Sequence, residues 1–212
     1  MQIASAEIAA WVGGFLWPLT RVAALASVAP VLGARTLPRR VRLMLVLALT
    51  WAVLPLAPPV PAVEPLSPTG VLIAAQQILI GLSMGFVLRL VFAALELGGH
   101  MIATQMGLGF ASLVDPQNGS QTPLLSQFYS LLGTLVFLSL NGHLLLVQLL
   151  VDSFRTLPVA AVGVDRDALW VLATWASRTF AGAVLISLPA VASLLVVNLA
   201  FGVMTRAAPQ LN

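Results

Sequence analysis

Covalent chemistry in this sequence could begin only from a few residues: Ser112 as a nucleophile, with His100 or His143 as its base. A serine site also needs a group that orients the base and donors that hold an oxyanion. No pattern in the chain specifies either. The two histidines stand apart from any paired carboxylate at ligand spacing, and there is no cysteine, so no metal centre and no disulfide are specified. The sequence assigns no cofactor, and hydrolysis within a membrane is its weakest reading.

Charges set in apolar surroundings form a second group. Arg21, Arg89, Glu96 and Arg178 fall inside long apolar runs, where an unpaired ion is unfavourable by about 3 kcal/mol even on the translocon scale. Each needs a partner or water. Arg89 and Glu96 share a helical face, yet seven residues of helix hold their backbones roughly 10 Å apart. They are therefore read as contacts to other chains, or, for Glu96, as the mark of a helix end at an interface where its head snorkels to water. A carrier or channel for small solutes, with a polar path of Gln76, Arg89 and Glu96, is the alternative. Such carriers carry paired broken helices in two halves, and no internal symmetry of that kind is found.

The elements that must position these groups follow from composition. The chain has 212 residues, 59% of them hydrophobic and only 8% charged, with a mean hydropathy of +1.01. Soluble domains carry roughly a quarter charged residues, so this composition belongs to a membrane protein. Five apolar segments are expected, at 8–32, 43–56, 71–97, 123–151 and 168–203, in a single all-α membrane domain over 1–212. A proline-rich connection from Ala57 to Pro68 separates the second and third, because proline lacks the amide donor a helix needs. Asp152 to Asp167 forms another connection, and Asp165 or Asp167 caps the last helix. Pro18 predicts a kink in the first segment. Gly81 and Gly85, in GLSMG, have the small-xxx-small spacing that lets helices approach closely.

The N-terminal run has Glu7 and no basic residue before it, unlike a signal peptide. All ten basic residues are arginine, and Arg35, Arg39, Arg40 and Arg42 lie within eight positions. Basic loops stay in the cytoplasm, so this turn is placed there, with the N-terminus and the proline-rich connection outside. Basic residues are not spread along a face with aromatic groups, which argues against nucleic acid as a partner.

Between Gly98 and Thr122 the sequence reads GGHMIATQMGLGFASLVDPQNGSQT, a glycine-punctuated stretch that also carries Met101, Met106, Leu108, Phe110, Leu113 and Val114. It is expected to be a loop. Irregular backbone bearing apolar side chains persists at membrane depth only when buried in protein or lining a cavity. Gly107 and Gly109 permit unusual dihedrals, and methionine repacks against differing surfaces. Those are the properties of a flexible seal; packing on the chain's own helices is the other reading.

Three blocks carry a family resemblance: MGLGFASLVDPQNG, LLSQFYSLLGTLVFLSLNGHLLLVQLLVDSFRTLPV and the ending GVMTRAAPQLN. Together they resemble the FliR family of flagellar export-gate subunits, to which a subunit of virulence-type secretion systems is related. The resemblance implies a non-enzymatic part of the type III export gate, combining FliP-like and FliQ-like helical hairpins. Its partners would be FliP and FliQ subunits, FlhA and FlhB components and unfolded export substrates. It would lie in the inner membrane, in the flagellar basal body, with an assembly raised towards the periplasm in which many apolar helices meet partner subunits rather than lipid.

The family's pore plug maps onto Met106 to Asn118, including Met106, Gly107, Leu108, Gly109, Phe110, Leu113, Asp115 and Pro116. Gly81, Gly85, Arg89, Glu96 and Arg206 are the expected helix and inter-subunit contacts. Family members continue past the APQLN block with a further apolar helix, the second leg of a hairpin, which is expected to be missing here.

Overall fold

The computed structural model describes residues 5–33, 37–108 and 123–207, all of whose regular structure is helical. The helices are α1 (Ser5–Val28), α2 (Arg39–Val53), α3 (Pro68–Gln105), α4 (Leu124–Ser139), α5 (Gly142–Thr156) and α6 (Arg166–Ala207), with a single 3-10 turn, Leu54–Leu56, after α2. Local chemistry sets several ends. The Ser67 hydroxyl accepts from the Gly70 amide at 3.0 Å, so Ser67 caps α3 and Pro68 takes the first helical position, where no amide is needed. At α6 the Asp165 carboxylate accepts from the Ala168 amide at 2.8 Å, which identifies the capping aspartate.

Three boundaries differ from the expectations. The loop expected from Gly98 begins later, since α3 continues to Gln105. Glycine weakens a helix by about 1 kcal/mol against alanine, but packing on both sides of Gly98 and Gly99 offsets this. The expected single helix over 123–151 is two helices bent by 68°. At the break Asn141 sits at φ 56°, in the left-handed region that asparagine tolerates, and the Asn-Gly pair was the turn signal passed over. Finally, α5 runs to Thr156, beyond the start assigned to the following connection.

By length and composition α1, α3 and α6 can each cross a membrane, and α4 with α5 would make a fourth span if taken together. The second apolar segment does not qualify: α2 has 15 residues, short of the roughly 20 that a span requires.

The described helices gather into two compact units, Met1–Arg89 with Phe137–Trp175, and Leu90–Val136 with Ala176–Asn212. In the first unit α1 packs on α2, and a core built from Trp17, Leu25, Val46, Val53, Ile73, Leu150 and Phe154 joins α1, α2, α3 and α5. Arg21 lies inside this core, 0% exposed. Its Nε donates to Gln77 Oε1 at 2.8 Å. One terminal nitrogen donates to the Ser153 carbonyl at 2.8 Å and to the Ser153 hydroxyl at 3.1 Å, and the other donates to the Leu157 carbonyl at 2.7 Å. The guanidinium carbon sits 4.0 Å from the centroid of the Phe154 ring.

No carboxylate among the described residues takes part. The charge is held by the Ser153 and Leu157 carbonyls at the C-terminal end of α5, where the negative end of the helix dipole lies, and by an aromatic face. The expected need of Arg21 for a partner is thus met within the chain, by polar groups of α3 and α5.

Gly81 and Gly85 face α1 in the same unit. A Cβ on Gly81 would collide with the Arg21 carbonyl and come within 2.8 Å of Ala24 Cβ, and one on Gly85 would lie 3.0 Å from the Leu25 carbonyl. The spacing GLSMG therefore serves a contact inside the chain, and it brings α3 close enough for Gln77 to reach Arg21.

Two outcomes are expected from this packing. Arg21→Lys keeps the charge but loses the fork, and should lower stability by about 3 kcal/mol, the worth of one or two hydrogen bonds to a charged group, measured as a fall in Tm of the detergent-solubilised protein. Gly81→Ala should also lower Tm, because collision with backbone outweighs the gain in helix propensity of about 1 kcal/mol. Gly14→Ala, where nothing lies within 4 Å of the added carbon, should leave Tm unchanged or raise it.

Candidate functional site

The second unit positions the segment with the unusual composition. Its part of α3 is flanked on two sides through two adjacent glycines. A Cβ on Gly98 would lie 3.3 Å from the Ala183 carbonyl and from Ile186 of α6. One on Gly99 would lie 2.9 Å from Ser126 Cα and 3.0 Å from the Leu125 carbonyl of α4. Successive residues on a helix point about 100° apart, so one glycine serves each neighbour. Small residues of this kind let backbones approach to near contact. On the α6 side, Gly182 faces Ala94, the Thr179 hydroxyl donates to the Leu90 carbonyl at 3.4 Å, and the Ser187 hydroxyl lies 3.7 Å from Met101 sulfur.

Along α3 and α4 the contacts descend in antiparallel order. Gly99 meets Ser126, Glu96 meets Ser130, and Gly133 meets Phe92 and Leu95. At the middle level the Ser130 hydroxyl donates to Glu96 Oε1 at 3.2 Å. Beside this pair a cleft of about 330 Å³ is lined by Glu96, Ser126, Gln127, Ser130, Leu131 and Thr134. Ser126 is 3% exposed, and its hydroxyl has no hydrogen-bond partner among the described residues.

α3 ends at the start of the expected plug. The Met106 amide donates to the Ile102 carbonyl and the Gly107 amide to the Thr104 carbonyl, each at 3.0 Å. Gly107 then turns into the left-handed region at φ 76°, the conformation that stops helices and that glycine adopts without steric penalty. Met106 and Leu108 are both exposed. The remaining expected plug residues, Gly109, Phe110, Leu113, Asp115 and Pro116, lie outside the described residues, as does Ser112.

The other singled-out residues are distributed as follows. In the first unit Arg89 is exposed on α3, and Gln76 Oε1 accepts from the Val164 amide at 3.2 Å. His143 is half-buried in that unit, with Nδ1 unpartnered among the described residues. In the second unit His100 is exposed on α3 and Arg206 is exposed in the last turn of α6. The sequence reading missed Ser126, Ser130 and Thr134. Their spacing of four places all three on one face of an otherwise apolar helix, and that was the signal available.

Comparison with known proteins shows the family. The model of "Bacterial export proteins, family 1" matches residues 12–212. The flagellar biosynthetic protein FliR of Escherichia coli K12 is 41% identical over all of this chain and 81% of its own length. That of Pectobacterium carotovorum is 39% identical over 95% of the chain and 77% of its own length, and that of Bacillus subtilis 32% identical over 93% and 77%. With its helices, its apolar spans and nearly its whole length matched, the chain belongs to bacterial export protein family 1, the family of the flagellar biosynthetic protein FliR, and is an all-helical membrane component of flagellar protein export.

Proposed function

We propose that this chain is a non-enzymatic subunit of the flagellar export gate, forming with FliP-like and FliQ-like subunits the channel through which unfolded flagellar proteins leave the cytoplasm. FlhA-like and FlhB-like components would deliver the substrates. The gate would sit in the bacterial inner membrane, in the flagellar basal body, and project towards the periplasm. Met106 to Asn118 would plug the closed pore and be displaced by substrate.

One observation carries the reading. α6 has 42 residues and so runs about 63 Å at 1.5 Å per residue, twice the hydrocarbon core of about 30 Å. Only 11% of its most apolar stretch is buried within the chain. Lipid can cover at most about half of such a helix, and the remainder needs the apolar faces of other subunits. α3, with 38 residues, has the same excess. Multi-subunit assembly rising out of the bilayer satisfies both. The plug assignment draws support from the end of α3 at Gln105 with the left-handed turn at Gly107, at the start of the segment, and from the composition of Met106 to Asn118.

The experiment is a deletion of residues 107–114 in cells expressing the whole export apparatus. Two results are expected: FliP-like and FliQ-like chains still co-purify with the shortened protein, and the membrane becomes permeable to small ions, seen as collapse of a potential-sensitive dye signal. Wild-type permeability with an intact complex would remove the plug role. A wild-type chain that purifies without either partner would remove the gate reading altogether.

A further inference from the structure

The cleft beside Glu96 joins three properties that the rest of the unit does not combine. Glu96 is a carboxylate on an apolar helix, exposed, with a single hydrogen bond, from Ser130, and no ion pair among the described residues. Ser126 lines the same cleft, with a buried hydroxyl that has no partner among the described residues, and Gln127 is a further lining residue. Running alongside is an apolar stripe on α4, Leu124, Phe128, Leu131 and Leu135, all more than half exposed and spaced at four, three and four residues, the repeat of one helical face.

We infer that this cleft and stripe dock an apolar helix of a different chain, one that carries a lone arginine or lysine whose charged head enters the cleft and pairs with Glu96. The inference rests on the export-gate reading, since it names the chemistry of a gate partner. A carboxylate in apolar surroundings is unfavourable until paired. The cleft, at about 330 Å³, has far more room than the roughly 30 Å³ that one water occupies, so it fits a side chain rather than a bare ion. Glu96 supplies charge complementarity, the Ser130 oxygen beside it supplies a further acceptor, and the leucine stripe supplies the apolar contact alongside. The neighbouring segment 109–122 of the chain itself has Asp115 and no basic residue, so it cannot provide the counter-charge. A guanidinium, with five donors in a planar fork, can bind the carboxylate and the Ser130 oxygen together.

The test uses the complete chain co-expressed with the other export-apparatus components, carrying a benzophenone amino acid in place of Leu131. Irradiation of the purified complex should link this position to a different chain, on an apolar peptide that contains arginine or lysine. Glu96→Lys should reduce that adduct about tenfold or more, as expected for like charges replacing a buried pair. Glu96→Gln, which keeps the shape and the Ser130 bond, should reduce it several-fold, and an unchanged yield would remove the charge pairing. Changing the partner's basic residue to glutamate in the Glu96→Lys background should restore it. Adducts only with lipid, only with a second copy of this chain, or with a peptide lacking a basic residue would overturn the inference, as would unchanged yield in Glu96→Lys. If the complex assembles but Leu131 links elsewhere, only the docking inference falls; if no other chain co-purifies with the wild type, the gate reading falls with it.

Discussion

A buried cation organises the first unit. Arg21 brings a positive charge into a core of tryptophan, leucine, isoleucine and phenylalanine, and four hydrogen bonds from its guanidinium to α3 and α5 satisfy it there. The fork geometry of arginine is what allows one side chain to reach a glutamine, a serine and two helix-end carbonyls together. Because these carbonyls lie at the C-terminal end of α5, where the negative end of the helix dipole favours a cation, the arginine closes that helix end as a basic cap would. Gly81 is the other half of the same arrangement: without its close approach to the Arg21 backbone, Gln77 would stand too far from the guanidinium. Sequence-distant positions 21, 77, 153 and 157 thus become one polar centre inside an apolar bundle.

Much of the helical framework was legible because its signals are local. Prolines between Ala57 and Pro68 end α2 and begin α3, Asp165 announces α6, and apolar runs longer than the bilayer identify the spans. The departures share a cause. Gly98 and Gly99 look like loop residues when only backbone freedom is considered, whereas in the fold their lack of side chains is used for tertiary contact. The same ambiguity worked in the opposite direction at Asn141 and Gly142, where apolar residues on both sides masked a sharp bend. The local sequence does not say whether a glycine is there to bend the chain or to admit a neighbour; the decision belongs to whatever packs against it.

The candidate site was legible in its acid and not in its setting. Glu96 stands out in any apolar run, but Ser126 and Ser130 are common residues in helices, and only the antiparallel register of α3 against α4 places them around the carboxylate. The plug resemblance, by contrast, was carried by contiguous residues and needed no tertiary information. Local signals announce segments; pairings between segments depend on register, which a single sequence encodes only through many weak contacts.

The adjacent glycines also fix how α3 can move. A helix touched at backbone distance on two sides is keyed like a shaft in a slot. Turning it by one residue, about 100°, would carry the side chain of Leu97 or His100 into a space where even a Cβ lies within 3.3 Å of a neighbouring helix. The azimuth of α3 in the second unit is therefore set, and the chain leaving it at Gly107 departs in a fixed direction. A change of direction at that exit comes from the dihedrals of Gly107 itself, since the helix behind it cannot roll to supply it.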